Sequence, residues 1–411
     1  MGGGTVAKRD IIAGLDVGTS SVRCAICEVD QRGSWNIIGL GTSRSEGIKK
    51  GAVVDIESTV GCILEAVESA QRMAGVTVES VHVGVPNTHA SLVVTRGIVA
   101  VSSDDKEITE DDVERVLQAA RVINLPPNRQ IIDIIPRQYI IDGYEGIRSP
   151  SGMAGIRLEV EALLVTGAIT SIQNLVRCVE RAGLQIESLI LNAMALGELV
   201  LSADEKELGV VLADLGGGTC EIAYFCNGAL QSIGAIPLGG DHITSDIAFG
   251  LRTSLGVAEQ AKIEHGTLLS VPEDKLFTIP DVGGENTRDV SVRKLSTIIE
   301  ARVHEMLSFI SEELPKLKVP EAIPSGLVLT GGVAATQGLV PYLRTMLECS
   351  VRLAQDGTAG SEDTSYATAI GLVMHALRRP ASNDSTRSTR RERKSGGLFS
   401  RVAEWLRDMW E

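Results

Sequence analysis

Val210 to Phe225 reads VVLADLGGGTCEIAYF, and the fold of the chain turns on how this stretch is taken. An apolar run, Val210 to Ala213, leads to Asp214; three glycines and Thr219 follow, and a second apolar run spans Ile222 to Phe225. Strand, tight glycine turn, strand is the pattern this composition predicts. Glycines let the chain turn with positive φ and let a ligand approach bare backbone. Successive amides at such a turn form an anion-binding nest, and an Asp at the strand end suits a magnesium ion held through water. A plain hairpin with a glycine-rich loop satisfies the same residues, so both readings stand on this stretch alone.

A second copy of the plan lies near the N-terminus. Ile11 to Ala25, IIAGLDVGTSSVRCA, has the same order: apolar run, Asp16, Gly18, Thr19-Ser20-Ser21, apolar run. Asp16 to Asp214 is 214 − 16 = 198 positions, and Gly18 to Gly216 is also 198. A repeat of this kind implies two similar halves, and two phosphate hairpins from two halves can grip one nucleotide between them.

The 411 residues are ample for several domains with sizeable cores. A net charge of −14 argues against nucleic acid as a partner of the body of the protein. Cys24 and Cys27 form a CxxC on an expected strand, where residues three apart face opposite ways, so they read as small buried apolar residues in a reducing compartment. No run approaches the ~18 apolar residues of a membrane-spanning helix, and the polar, glycine-rich first residues lack the form of a signal peptide, so a cytosolic protein is expected.

Along the first half, strands and helices alternate in an α/β manner, with a helix over Ser58–Ala74. Residues 91–165 break that rhythm and read as an inserted module with a Gly/Pro-rich loop over Gly143–Gly155. In the second half, Val292–Leu314 reads as a long amphipathic helix. GLVLTGG at Gly326–Gly332 is a strand running into a double glycine, and Ser365–Leu377 is a helix rich in small residues. From Pro380 to Gly397 the chain is almost devoid of apolar residues, with five basic residues against two acidic (5 − 2 = +3), and reads as a flexible basic linker. The last residues, LFSRVAEWLRDMWE, place Leu398, Val402, Trp405, Leu406 and Met409 on one helical face, with Phe399 and Trp410 beside it. That is the pattern of an interfacial amphipathic helix, whose rival reading is a helix docked in a protein groove.

Neither a GxxxxGK[ST] loop nor a GxGxxG fingerprint is present. Asp16–Ala25, Asp214–Ala223 and Gly326–Gly338, with small-residue helices at Asn192–Leu201 and Ser365–Leu377, resemble in order the two phosphate segments, the adenosine segment and the connecting helices of the actin, sugar kinase and Hsp70 superfamily. Within it, IIPRQYIIDGYEGIRSPSGMAGIRLE, GGDHITSDIAFGLRTSLGVAEQAKIEHG and the terminal amphipathic segment resemble the FtsA family of bacterial cell-division proteins.

The resemblance implies an actin-like, two-lobed α/β fold with duplicated ribonuclease-H-like subdomains. Residues 8–84, 166–205 and 354–379 would form the lower-lobe core and 85–165 the inserted FtsA-type subdomain. Residues 206–238 and 296–353 would form the upper-lobe core, and 239–295 the second upper subdomain. Residues 380–397 would be the linker and 398–411 the membrane-targeting helix. ATP and Mg²⁺ are the implied ligands. Asp16 and Asp214 would face the metal, largely through water; Gly18, Thr19, Ser20, Gly216, Gly217, Gly218 and Thr219 would surround the phosphates. Gly331, Gly332, Glu259 and Lys262 would lie by the nucleoside, with His242 as readily a structural histidine as a ligand contact. Arg302 would meet the C-terminal peptide of FtsZ. Further implied partners are other copies of the chain in filaments, an anionic membrane surface, and other division proteins at residues 85–165, at the cytoplasmic side of the septal membrane. Asn192 to Met194 lies where actin-like proteins position the attacking water and offers no Gln or Glu, so hydrolysis is expected to be slow at most. A sugar or acetate kinase and an actin-like pilus-assembly protein are the alternatives.

Overall fold

The structure is a computed structural model and describes residues 10–30, 34–272, 275–280, 287–347, 349–355 and 364–378. In the first lobe, β1 (Asp10–Val17), β2 (Ser21–Val29) and β3 (Trp35–Arg44) form an antiparallel meander. A two-residue ribbon, β4 (Ile48–Lys49) and β5 (Ala52–Val53), leads to helix α1 (Ile56–Ala74) and strand β6 (Ser80–Val85). Asp55 caps α1 by accepting from the Ser58 amide, and Gly75 closes it in the left-handed conformation.

The inserted module follows a one-turn 3₁₀ helix, Asn87–His89. It comprises β7 (Ala90–Ala100), α2 (Glu110–Arg121), β8 (Arg129–Ile141), β9 (Tyr144–Ile147) and β10 (Arg157–Ala168). Its sheet runs β7-β10-β8-β9 and is antiparallel throughout. Strand β9 lies inside the stretch read from sequence as loop: Asp142 and Gly143, both with positive φ, fold Tyr144–Ile147 back onto β8. Helix α2 carries a capping box between Thr109 and Asp112. Helix α3 (Ile169–Arg181) and β11 (Gln185–Leu191) return the chain to the first sheet.

Helix α4 (Asn192–Val200) and the short α5 (Ala203–Leu208) cross to the second lobe. There β12 (Val210–Leu215), β13 (Cys220–Cys226) and β14 (Ala229–Ile236) repeat the meander. Then come α6 (Gly240–Leu251), α7 (Leu255–His265), the ribbon β15 (Leu276–Pro280) with β16 (Thr287–Ser291), α8 (Val292–Lys316), β17 (Leu327–Thr330), α9 (Leu339–Leu347), β18 (Val351–Leu353) and α10 (Ala367–Arg378).

The two large sheets have one topology. The first runs β3-β2-β1-β6-β11 and the second β14-β13-β12-β17-β18, with the last two connections parallel in each. Each lobe closes its own apolar core, one around Leu15, Ile26 and Ile63, the other around Ile222, Leu295 and Ile299. The inserted module has a third, around Ile108, Val116 and Leu158. The small residues of α4 and α10 have a packing cause: a Cβ on Gly371 would collide with the Ala195 carbonyl, so the linking helices cross in backbone contact. The expected terminal helix, with Leu398, Phe399, Val402, Trp405, Leu406, Met409 and Trp410, lies outside the described residues, as does the linker before it.

Candidate functional site: a cleft between two equivalent hairpins

The repeated motifs fold into equivalent turns. Gly18 N donates to Ser21 O at 3.1 Å, and Gly216 N donates to Thr219 O at 3.0 Å. The registers coincide as well. Asp16 pairs with Arg23 and Asp214 with Glu221, so both members of the pair are offset by 198 (214 − 16 and 221 − 23). The turns meet across the lobes: a Cβ on Gly218 would lie 2.7 Å from the Thr19 methyl, and Ser20 Oγ donates to Asp241 Oδ1 at 3.2 Å. Gly240 N and Asp241 N donate to the carbonyls of Gly216 and Gly217 at 3.0 and 2.8 Å, which braces the second turn on the start of α6.

Between the hairpins opens a cleft of about 510 Å³. Asp16, Gly18, Thr19, Ser20, Asp214, Gly216, Gly217, Gly218, Thr219, Glu259, Lys262, Gly331 and Gly332 all line it. Gly331 has φ of +89°, and a side chain there would press on Asp214 and on Leu215 O, 2.6 Å away. Beside Gly332 nothing lies within 4 Å of where a Cβ would stand, so bare backbone faces open space. Lys262 Nζ pairs with Glu259 at 2.7 Å and donates to Thr244 Oγ1 at 2.9 Å and Gly240 O at 3.2 Å. Thr244 also bonds Glu259, and the set ties α7 to α6 at the cleft wall. His242 Nδ1 accepts from Gly239 N at 3.2 Å at the start of α6.

The floor is acidic. Burial pushes Asp16 up to about 6, opposed by the Arg23 guanidinium. Burial pushes Asp214 up to about 7, helped by the Asp16 charge and opposed by Arg23. Glu221 rises to about 8, chiefly through burial, against hydrogen bonds from the backbone of Asn87 and Thr88. Asp16 and Asp214 thus face one guanidinium, with the Glu221 carboxyl beside them. Arg23 and Glu221 escape a reading by motif. The signal for both is the hairpin register, which sets the residue seven places after each Asp directly opposite it. Asn192, which heads α4 and is 8% exposed, also lines the cleft, and its Oδ1 has no hydrogen-bond partner.

Arg302 sits elsewhere, on α8 and outside the cleft lining. Its Nε and Nη2 make a two-pronged pair with Asp246 of α6 at 2.6 and 2.9 Å, and its Nη1 pairs with Glu305. Burial drives the thiols of Cys24 and Cys27 up to about 12, which keeps them unreactive. Among the described residues no helix is long and apolar enough to cross a membrane.

Comparison with known proteins agrees with this architecture. The family model described as the SHS2 domain inserted in FtsA matches residues 87–166, and that of cell division protein FtsA matches residues 211–371. The cell division protein FtsA of Bacillus subtilis is 43% identical over 373 residues, covering 90% of this chain and 84% of its own. Among solved structures, the PilM-PilN type IV pilus biogenesis complex superposes with a TM-score of 0.64 at 15% identity, covering 90% of this chain and 99% of that one. MreB5 of Spiroplasma citri bound to ADP gives 0.53 at 12% identity, over 88% and 94%. At those identities the structural likeness speaks to fold, and the fold is actin-like. Sequence similarity decides among the branches of that fold: the chain belongs to the FtsA family of cell division proteins.

Proposed function

We propose that the chain binds Mg²⁺ and ATP in the inter-lobe cleft, assembles with copies of itself, and tethers the FtsZ ring to the cytoplasmic face of the membrane at the septum. The supporting observation is the meeting of two hairpins with one register, 198 positions apart, around a single acidic, glycine-walled cleft. The MreB5 structure of the same fold is described as bound to ADP. The residues present fit the ligand. Gly216–Gly218 and Gly331–Gly332 supply backbone where side chains would fill the space, and Asp16 and Asp214 supply hard oxygens. When bound, the metal would screen phosphate charge and orient the phosphates. Thr19, Ser20 and Thr219 would hold phosphate oxygens, Glu259 and Lys262 would stand by the nucleoside, and Arg23 would offset charge on the floor.

The nucleotide acts as a ligand that sets conformation and assembly, with slow hydrolysis at most. Asn192, at the head of α4, is a weak candidate for a general base, since a carboxamide does not take a proton at neutral pH. Arg302 would receive a carboxylate of the FtsZ tail, and the pairs with Asp246 and Glu305 hold its guanidinium in one orientation. The membrane contact rests on the sequence pattern of residues 398–411, where apolar side chains contribute ~1.5–3 kcal/mol each when fully buried.

Equilibrium binding of labelled ATP, with and without Mg²⁺, to the full chain and to Asp16→Asn and Asp214→Asn tests the cleft. The wild type should retain ATP in a Mg²⁺-dependent manner and both variants should lose it; equal retention by all three would overturn the reading. An FtsZ C-terminal peptide should retain the wild type and fail with Arg302→Glu. Flotation with anionic liposomes should fail after Trp405→Glu.

A further inference from the structure

Hydrogen bonds from both hairpins converge on one short turn, Asn87–His89, through which the chain passes from β6 into the inserted module. From the second hairpin, Glu221 accepts from the backbone N–H groups of Asn87 and Thr88. In return Asn87 Nδ2 donates to the carbonyl of Ile222 at 3.2 Å. From the first hairpin, Thr19 Oγ1 accepts from Gly51 N at 2.9 Å, and the Gly51 carbonyl accepts from His89 Nε2, also at 2.9 Å. Glu221 is 7% exposed, lines the cleft and stands opposite Asp214. Thr19 lines the cleft from the other side.

The turn is held at both ends but is not saturated. Asn87 Oδ1 and Thr88 Oγ1 are buried without hydrogen-bond partners. Unsatisfied buried polar atoms are costly, so a segment that carries two of them gains from any arrangement that pairs them. Turns at element ends are also where hinge rotations are absorbed.

We infer that the Asn87–His89 turn transmits occupancy of the cleft to the inserted module. The inference rests on the nucleotide reading above. A cation and phosphates arriving between the hairpins act on Glu221 through charge and on Thr19 through its hydroxyl. Both displacements are delivered to the same three residues, directly after which β7 starts at Ala90, the partner of Gly167 near the end of β10. The turn is therefore one junction of the inserted module with the two halves of the clamp, alongside the β10–α3 connection and the Arg137–Gln231 and Arg148–Glu207 contacts to the second lobe, and the relation of the halves acts on it. Two ligand-dependent states of one element are what a coupling between distant sites requires.

The test is amide hydrogen exchange on the full chain with and without saturating Mg²⁺ and ATP, read over residues 87–92, in the wild type, Glu221→Gln and His89→Ala. ATP retention is measured on the same samples. His89→Ala cuts the Gly51 connection, and Glu221→Gln removes the charge and one acceptor oxygen of the other, so His89→Ala carries the test alone if Glu221→Gln does not fold. In the wild type, nucleotide should slow exchange at 87–92 by about tenfold, within the ~5–150-fold range of such couplings. The variants should show faster exchange with a nucleotide-dependent difference of no more than about threefold. A purely structural role would raise exchange equally with and without nucleotide and leave the tenfold difference in place, which overturns the inference. ATP retained by the wild type with unchanged exchange at 87–92 also overturns it, while leaving the nucleotide reading standing. No ATP retained by the wild type overturns both.

Discussion

Asp214→Asn should make the ligand-free protein more stable while removing its affinity for Mg²⁺ and ATP. Asp214 carries a carboxyl whose pKa rises from 3.8 to about 7, first through burial and then through the charge of Asp16. Below pH ~4 the group is protonated in the folded and the unfolded chain alike, and it costs nothing. Between about 4 and 7 the unfolded chain ionises while the folded one holds its proton, so stability falls as pH rises. Above about 7 both are ionised and the penalty is constant. Three units at ~1.4 kcal/mol each set a ceiling of about 4 kcal/mol. Asp214 is only half-buried, and solvent screening brings the expectation to about 1–3 kcal/mol. Asparagine keeps the shape and removes the charge, so at pH 8 without nucleotide its melting temperature should exceed that of the wild type by about 2–6 °C. The gap should shrink toward zero as pH approaches 4. With saturating Mg²⁺ and ATP the order should reverse, because only the wild type gains binding energy. Differential scanning fluorimetry across pH 4.5–8.5, with and without ligand, measures all of this. An asparagine variant that melts at or below the wild type at pH 8, or a gap independent of pH, would refute the reasoning.

Other expectations follow from single contacts. Gly371→Val should destabilise the protein by roughly 1–3 kcal/mol or more, read by denaturant melts, because the α4–α10 crossing has no room for a Cβ. Gly331→Ala forces a side chain into positive φ against Asp214, so ATP retention should drop at least about tenfold even where the fold survives. Asp112→Asn should loosen the inserted module and leave the cleft intact. Hydrogen bonds from Thr109 and Ser102 outweigh its burial and hold that carboxyl below the ordinary range. Its contribution is therefore present above pH ~4 and lost as pH falls below it, which exchange of α2 amides compared between pH ~4 and ~2 should show. Asp246→Asn frees one side of the Arg302 guanidinium, and FtsZ-peptide affinity should change measurably by titration calorimetry while ATP retention does not.

Much of the architecture was legible before folding because it is written in short-range pattern. Apolar alternation marks β1, β2, β12 and β13, and glycine with small hydroxyl residues marks their turns. The fixed offset of 198 announces the duplication, which the matched strand registers bear out. Family resemblance, carried by contiguous motifs, brought the fold and its family with it. The short strand β9, the helix α5 and the ribbon of β15 with β16 went unread, because each is too short to show a period and is held by its neighbours. What only tertiary structure decided are the juxtapositions. Asp16 stands near enough to raise the pKa of Asp214, although 198 positions separate them. Arg23 and Glu221 join the site because a hairpin register, not a motif, sets them opposite the two aspartates. Asp246 lies 56 positions from Arg302 in sequence, yet folding places its carboxylate on the Arg302 guanidinium. The turn at Asn87 is distant in sequence from both hairpins, yet the second bonds it directly and the first through Gly51. Periodicity and turn chemistry act within a few residues and so can be read along the chain. Charge coupling, close backbone crossings and shared hydrogen bonds depend on which elements pack together, and that follows from the burial of whole faces.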